Sequence, residues 1–185
     1  MKKALFIDFE DSFSYNVVQE LIEVGLIVEV LNWKEFHAIG EQDLLVLGPG
    51  PGHPDDYQRI FPLIQAWQNQ NKKIFGVCLG HQILWSIEGL RIGPAVLPLH
   101  GQKIRMNLTK DWQKWLDLPE EIWVQRYSSL AVKALSEDQT GENFLQDGEI
   151  LMSRTKKFIS YQFHPESVGT KCRQNFFRPI LRDQL

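Results

Sequence analysis

The chain has 185 residues, 43% of them hydrophobic and 23% charged, with a net charge of -3 at pH 7 and no block of Lys or Arg. This fits one compact domain over 1–185 with a substantial core, and it disfavours a nucleic-acid footprint. Two distant cysteines, Cys78 and Cys172, are too few for a disulfide scaffold or a CxxC zinc cluster, so a reducing cytoplasm is the expected setting. The apolar stretch near the start, residues 4–7, is shorter than a signal-peptide core and far shorter than the about 20 residues of a spanning helix, so no membrane role is expected.

Residues 4–7 form an apolar run followed by Asp8, Glu10 and Asp11, which predicts a buried parallel strand with acidic residues at its carboxyl edge. Phe13, Val17, Leu21 and Val24 recur at helical spacing before Gly25, so a helix is expected over 13–24. Strands are expected at 27–31 and 43–47, the second running into the loop GPGPGHP at 48–54. A helix over 56–70 would place Ile60, Leu63, Ile64 and Trp67 on one side, with Pro62 disturbing its first turns. Ile74, Phe75 and Val77 predict another buried strand, which must turn sharply at Cys78, Leu79 and Gly80 into a helix carrying Ile83, Leu84 and Ile87.

Alternating units of this length predict an α/β fold: a mostly parallel, doubly wound central sheet with helices on both faces. In such sheets the functional loops gather at the carboxyl ends of the strands, so the Asp11 loop, the 48–54 loop and Cys78 share one rim. The second half carries shorter strand candidates at 92–97, 103–107, 122–124, 131–135, 150–154 and 158–163, which imply a smaller mixed or antiparallel region. Asp147-Gly148 suits a hairpin turn, Trp112 and Trp115 suit satellite core packing, and 174–181 suits a docked helix disturbed by Pro179.

Cys78 stands at the tip of a strand and at the positive end of a helix, where free N–H groups and the helix dipole favour a thiolate nucleophile. Gly76 and Gly80 leave room for the tight elbow; an apolar-flanked cysteine also fits an inert core residue. A cysteine nucleophile needs an imidazole to take its proton and a third group to orient that imidazole. His164 and Glu166, two apart around Pro165 at a strand-to-loop junction, supply both types, although a satisfied His-Glu pair is the plainer alternative. His81 competes as a base, but a helix starting at Leu79 would carry it around the first turn, which favours a structural role. The N–H groups of Gly50 and Leu79 could form an oxyanion hole, and the glycine loop lacks the Lys and Ser/Thr of a phosphate loop. His37, His53 and His100 have no metal-site spacing.

The blocks DFEDSFSYN at 8–16, GPGPGHP at 48–54, GVCLGHQ at 76–82, RYSSL at 126–130 and QFHPES at 162–167 together resemble the class I (triad) glutamine amidotransferases. Within them the chain is similar to the small, glutaminase subunit of anthranilate synthase and aminodeoxychorismate synthase. The resemblance implies Cys78 as nucleophile, His164 as general base and then acid, and Glu166 as its orienting group. It places the glutamine contacts on Gly50, Pro51, Gly52, Leu79, Gln82, Ser129 and Leu130, and a synthase-facing edge on Asp11, Ser12, Tyr127 and Ser128. It further implies L-glutamine as substrate, a chorismate-using synthase subunit as partner, and no cofactor in this chain, any magnesium belonging to the partner. Phe9, Gly48, Gln102, Ser128, Trp85 and Leu90 depart from the residues common in the family. Two other readings are a non-catalytic subunit of the same fold, which the intact trio opposes, and an amidotransferase for another acceptor, which the SFSYN and RYSSL blocks oppose.

Overall fold

In a computed structural model, which describes residues 1–134 and 141–182, the apolar runs of the first half become the centre of a mostly parallel sheet. The first half contains β1 (Lys3–Asp8), α1 (Ser14–Glu23), β2 (Ile27–Asn32), β3 (Leu44–Leu47), α2 (Phe61–Asn69), β4 (Lys73–Val77) and α3 (Leu79–Ile87). The second half adds β5 (Ile92–Pro94), β6 (Gln102–Asn107), α4 (Lys110–Leu116), β7 (Glu121–Arg126), β8 (Leu130–Val132), β9 (Glu142–Gln146), β10 (Glu149–Arg154), β11 (Phe158–Tyr161) and α5 (Arg173–Phe177). Among the described residues, seven strands form the central sheet in the order β2-β1-β3-β4-β11-β10-β9. The pairings from β2 to β11 are parallel, while β10 and β9 add an antiparallel edge. Two small antiparallel pairs, β5 with β8 and β6 with β7, lie beside it.

Successive strand residues point to opposite faces, so each run feeds two cores at once. Phe6, Val46, Phe75, Val77 and Tyr161 meet Val17 and Leu21 of α1 and Phe176 and Phe177 of α5 on one side. Leu5, Ile7, Leu45, Leu47 and Ile74 meet Ile60, Ile64, Trp67, Ile83 and Leu84 on the other. The sheet is therefore covered on both faces, which is why its central strands are apolar without alternation.

Several expected bounds shift for physical reasons. The helix expected over 56–70 divides into a 3-10 helix, Pro54–Ile60, and α2. Pro62 sits in the first turn of α2, where its missing N–H would have no intrahelical partner anyway. The strand expected at 92–97 stops at Pro94: Ala95 N still donates to Ser129 O (2.8 Å) in register with the ladder, but the next N–H, that of Val96, turns to the Glu149 carboxylate (2.6 Å). The strand expected at 158–163 stops at Tyr161. Of the strand expected over 131–135, β8 covers Leu130–Val132 and residue 135 lies outside the described residues. Asp147 and Gly148, both at positive φ, join β9 to β10 as a tight hairpin. Trp112 is buried in the first core and meets Trp115 edge-on at 5.3 Å, with the Arg154 guanidinium 5.2 and 5.1 Å from the two rings. Pro179 falls within a 3-10 turn, Arg178–Leu181, after α5.

Two neighbouring strands of the sheet bring distant parts of the chain together. β11 lies parallel to β4 with Tyr161 opposite Val77, so the residues after each strand emerge side by side at the carboxyl edge.

Candidate active site

Cys78 connects β4 to α3 with φ 52° and ψ -102°, in the left-handed region that non-glycine residues avoid. Three backbone bonds hold it there: its N–H donates to Tyr161 O (2.8 Å), its carbonyl accepts from Gln82 N (3.1 Å), and Gly80 N donates to Gly48 O (3.2 Å). A Cβ at Gly80 would lie 2.1 Å from Leu47 O, so only glycine permits this close strand-helix approach. The sulfur is nearly enclosed, with Cys78 8% exposed.

His164 follows β11 and is 2% exposed, and Glu166 is 3% exposed. The imidazole Nδ1 lies 2.6 Å from Glu166 Oε1, as the spacing around Pro165 allows. This leaves Nε2 for the sulfur side. Phe13 and Tyr127 close on the ring edge-to-face, with centroids 5.3 and 4.9 Å from it, and they also touch each other at 4.6 Å. Burial alone would push the His164 pKa down, but a charged Cys78 sulfur beside it, the bond to that sulfur and the Glu166 carboxylate push it well above the ordinary histidine value. The pair is thereby suited to an imidazolium facing a thiolate.

His81 goes the other way. It is fully buried between α3 and the sheet, with Nδ1 2.8 Å from Ser160 Oγ and Nε2 3.0 Å from Ile150 O. Burial lowers its pKa to about 3, against a weaker upward pull from the Ile150 carbonyl. It is a neutral cross-link between α3 and the sheet.

A cavity of about 190 Å³ opens beside Cys78 and is lined by Gly50, Pro51, Gly52, Gln82, Tyr127, Ser128, Ser129 and Leu130. The glutamine-contact positions expected from the sequence thus meet at one place, with Leu79 buried just behind Gly50. A Cβ at Gly50 would come within 2.5 Å of both Leu79 Cδ2 and Phe9 Cβ, so Phe9 packs where it leaves space for glycine alone. The Gln82 amide nitrogen donates to Leu130 O (3.2 Å), Gln162 Oε1 (3.1 Å) and Ser128 Oγ (3.3 Å), which makes it part of the cavity floor.

The rim positions separate. Ser12 is exposed, Asp11 and Tyr127 are partly exposed, and the Asp11 carboxylate accepts from Phe13 N (2.8 Å) at the start of α1. Ser128, expected on the synthase-facing edge, is 7% exposed, because its hydroxyl turns inward to Gln82 and to both backbone groups of Leu130. Trp85 is buried against the sheet: its indole N–H donates to Ser153 Oγ (3.0 Å) and its ring meets Phe158 edge-on at 5.4 Å. Sequence reasoning alone does not single out Gln162, Phe13 or Gln125. Gln162 places its amide nitrogen 3.9 Å from the Cys78 sulfur, and its place in the QFHPES block is the signal that could have found it. Among the described residues no cluster of three or more His, Cys, Asp or Glu side chains could hold a metal ion, and no helix is long and apolar enough to cross a membrane.

A doubly wound sheet that brings a strained elbow cysteine beside a carboxylate-held imidazole has the parts of the class of proteins built on a cysteine, a histidine and an acid. Residues 5–183 match the model of the glutamine amidotransferase class-I family, and the chain belongs to that family. It is 35% identical over 176 residues to anthranilate synthase component 2 from Lactococcus lactis, covering 90% of this chain and 87% of that protein. It is 33% identical over 181 residues to aminodeoxychorismate synthase from Streptomyces pristinaespiralis, covering 91% of this chain but 24% of that longer protein. A crystal structure of a glutamine amidotransferase from Thermotoga maritima shares the fold, with a TM-score of 0.70 at 19% identity over 89% of this chain and 76% of that one.

Proposed function

We propose that this chain is the glutaminase subunit of a chorismate-using synthase, hydrolysing L-glutamine and passing the ammonia to its partner. The observation that carries the reading is the His164–Glu166 pair at 2.6 Å beside the elbow cysteine, with an amino-acid-sized cavity next to the sulfur. Cys78 attacks the side-chain amide carbon of glutamine, and the carbonyl oxygen takes on negative charge opposite the N–H groups of Gly50 and Leu79. The His164 imidazolium gives its proton to the leaving nitrogen, so ammonia departs and a glutamyl thioester remains. Neutral His164 then takes a proton from water, whose hydroxide attacks the thioester carbon; glutamate leaves and the proton returns to the Cys78–His164 pair. Glu166 keeps the imidazole in one tautomer and one orientation throughout.

Ser129 and Leu130 line the side of the cavity proposed to receive the α-amino and carboxylate ends of the substrate, while Pro51 and Gly52 close its other side. The exposed edge of Asp11, Ser12 and Tyr127 faces the synthase, which uses the ammonia to convert chorismate to anthranilate or to 4-amino-4-deoxychorismate. The likeness to anthranilate synthase component 2 and to aminodeoxychorismate synthase supports a partner of one of these two kinds.

The test is glutamate release by the purified chain alone and with each kind of synthase subunit, beside a Cys78→Ala control. Release that rises with one synthase and vanishes in the control is expected. No release with either synthase in a confirmed complex overturns the reading and favours a non-catalytic subunit.

A further inference from the structure

Gln125, the penultimate residue of β7, touches the turn that carries His164 and Glu166 at both ends. Its carbonyl accepts from His164 N (2.9 Å). Its N–H donates to Thr170 Oγ1 (3.1 Å), and that hydroxyl donates to His164 O (2.7 Å). Both backbone groups of His164 are thereby fixed relative to one residue of β7. The other end of the turn is held by the side chain, where Gln125 Oε1 accepts from Ser167 Oγ (2.6 Å). The same hydroxyl lies 3.3 Å from the Tyr127 hydroxyl, whose ring packs against His164.

The second half of the Gln125 amide reaches elsewhere: Nε2 donates to Gly101 O (2.9 Å). Gly101 ends a segment that runs alongside the cavity-lining strip. Ala95 N donates to Ser129 O (2.8 Å), Leu99 N to Ser128 O (3.3 Å) and Gly101 N to Arg126 O (2.9 Å). One amide group therefore bonds, through its two ends, the turn that places the imidazole and the segment that braces the substrate strip.

Resting on the proposed glutaminase function, we propose that Gln125 is a positioning residue: its side-chain amide couples the placement of His164 and Glu166 to the bracing of the glutamine-contact strip 128–130. An amide suits this task because it donates and accepts at once in a fixed plane. A shorter or apolar side chain would remove the bonds to Ser167 and to Gly101 together, and the two parts of the site could then move apart. Catalysis is sensitive to displacements on this scale, since small misplacements of reacting groups cost large factors in rate. The titratable groups facing His164 are Cys78 from the β4 tip, Glu166 from its own turn and Tyr127 from the end of β7.

The test uses the full chain in a Cys172→Ser background, with Gln125→Met, which keeps the length of the side chain, and Ser167→Ala, which removes one of the two bonds. Three quantities are followed: alkylation of Cys78 by iodoacetamide across pH, glutamate release in the presence of the activating synthase, and the thermal midpoint. For Gln125→Met, kcat is expected to fall about tenfold and KM to rise about threefold, with the alkylation profile displaced by about half a pH unit or more and the chain still folded. Ser167→Ala should displace the profile in the same way but leave KM within about twofold, because the Gly101 bond survives. Profiles and kinetics of both variants that superimpose on the parent overturn the proposal. So does a loss of activity that merely follows the fraction unfolded while the profile stays in place. Should Gln125→Met fail to fold, Ser167→Ala decides alone. A parent chain that releases no glutamate with either synthase sinks the proposed function, whereas the alkylation comparison still judges Gln125.

Discussion

The core around His81 and the turn around His164 bury their imidazoles to nearly the same depth, 0% and 2% exposed. Their partners differ in charge. His81 meets a hydroxyl and a carbonyl, and burial brings its pKa to about 3; His164 meets a carboxylate and a sulfur, and its pKa rises well above the usual value. Depth of burial therefore says little about what a histidine does, and neighbouring charge decides it. Nor does distance along the chain: the histidine three residues from Cys78 is turned away by α3, while the one 86 positions later (164 - 78) arrives beside it through β11.

Substitutions can break this contrast from the reactive side first. His164→Ala is expected to lower kcat for glutamate release by on the order of 10⁴-fold or more, measured with the activating synthase present. Glu166→Gln keeps the shape of the pair but not its charge; it should cost roughly 10³-fold in kcat and move the His164 limb of the pH profile to lower pH. On the other side, His81→Gln should cost about 2–4 kcal/mol in urea unfolding and leave kcat per folded molecule within about threefold.

The pH dependence of stability sharpens the contrast further, because the two signs are opposite. His81 stays neutral in the fold while the unfolded chain takes up a proton, so its contribution is intact above about pH 6.5 and is lost as pH falls from there towards about 3, at up to about 1.4 kcal/mol per pH unit. His164 holds its proton more tightly folded than unfolded. Its contribution is present below the unfolded value and is lost as pH rises through the elevated folded one. Urea unfolding across pH should therefore show an acid slope that weakens in His81→Gln and an alkaline slope that weakens in His164→Ala. The smallest effect is expected for Ser128→Ala, whose lost bonds to Gln82 and Leu130 should raise KM for glutamine about fivefold with kcat little changed.

The first half of the fold was legible because β1, β3 and β4 are short apolar runs that end at Asp8, Gly48 and the glycine-flanked Cys78, and α1 repeats at helical spacing until Gly25. The elbow could be recognised from Cys78 between two glycines at a strand-to-helix change. The second half was less legible. β5 and β8 are three residues each, too short for a period, and nothing in Phe158–Tyr161 says that its neighbour is β4 rather than β10 alone. Ser128 was placed on the rim by the family resemblance, and a serine carries no mark of burial of its own; its inward turn depends on Gln82, 46 positions earlier. Gln125 was invisible for the same reason. A strand glutamine reads as solvent-facing until Ser167 and Gly101 are seen on either side of its amide.

The backbone of Cys78 sits at a positive φ that a side chain makes unfavourable, at a cost on the order of 1–3 kcal/mol, and it is kept there by its bonds to Tyr161 and Gln82. Durability and reactivity therefore compete at this one residue. A glycine there would relax the elbow but remove the sulfur to which the proposed function assigns the chemistry, so selection for robustness alone would discard it.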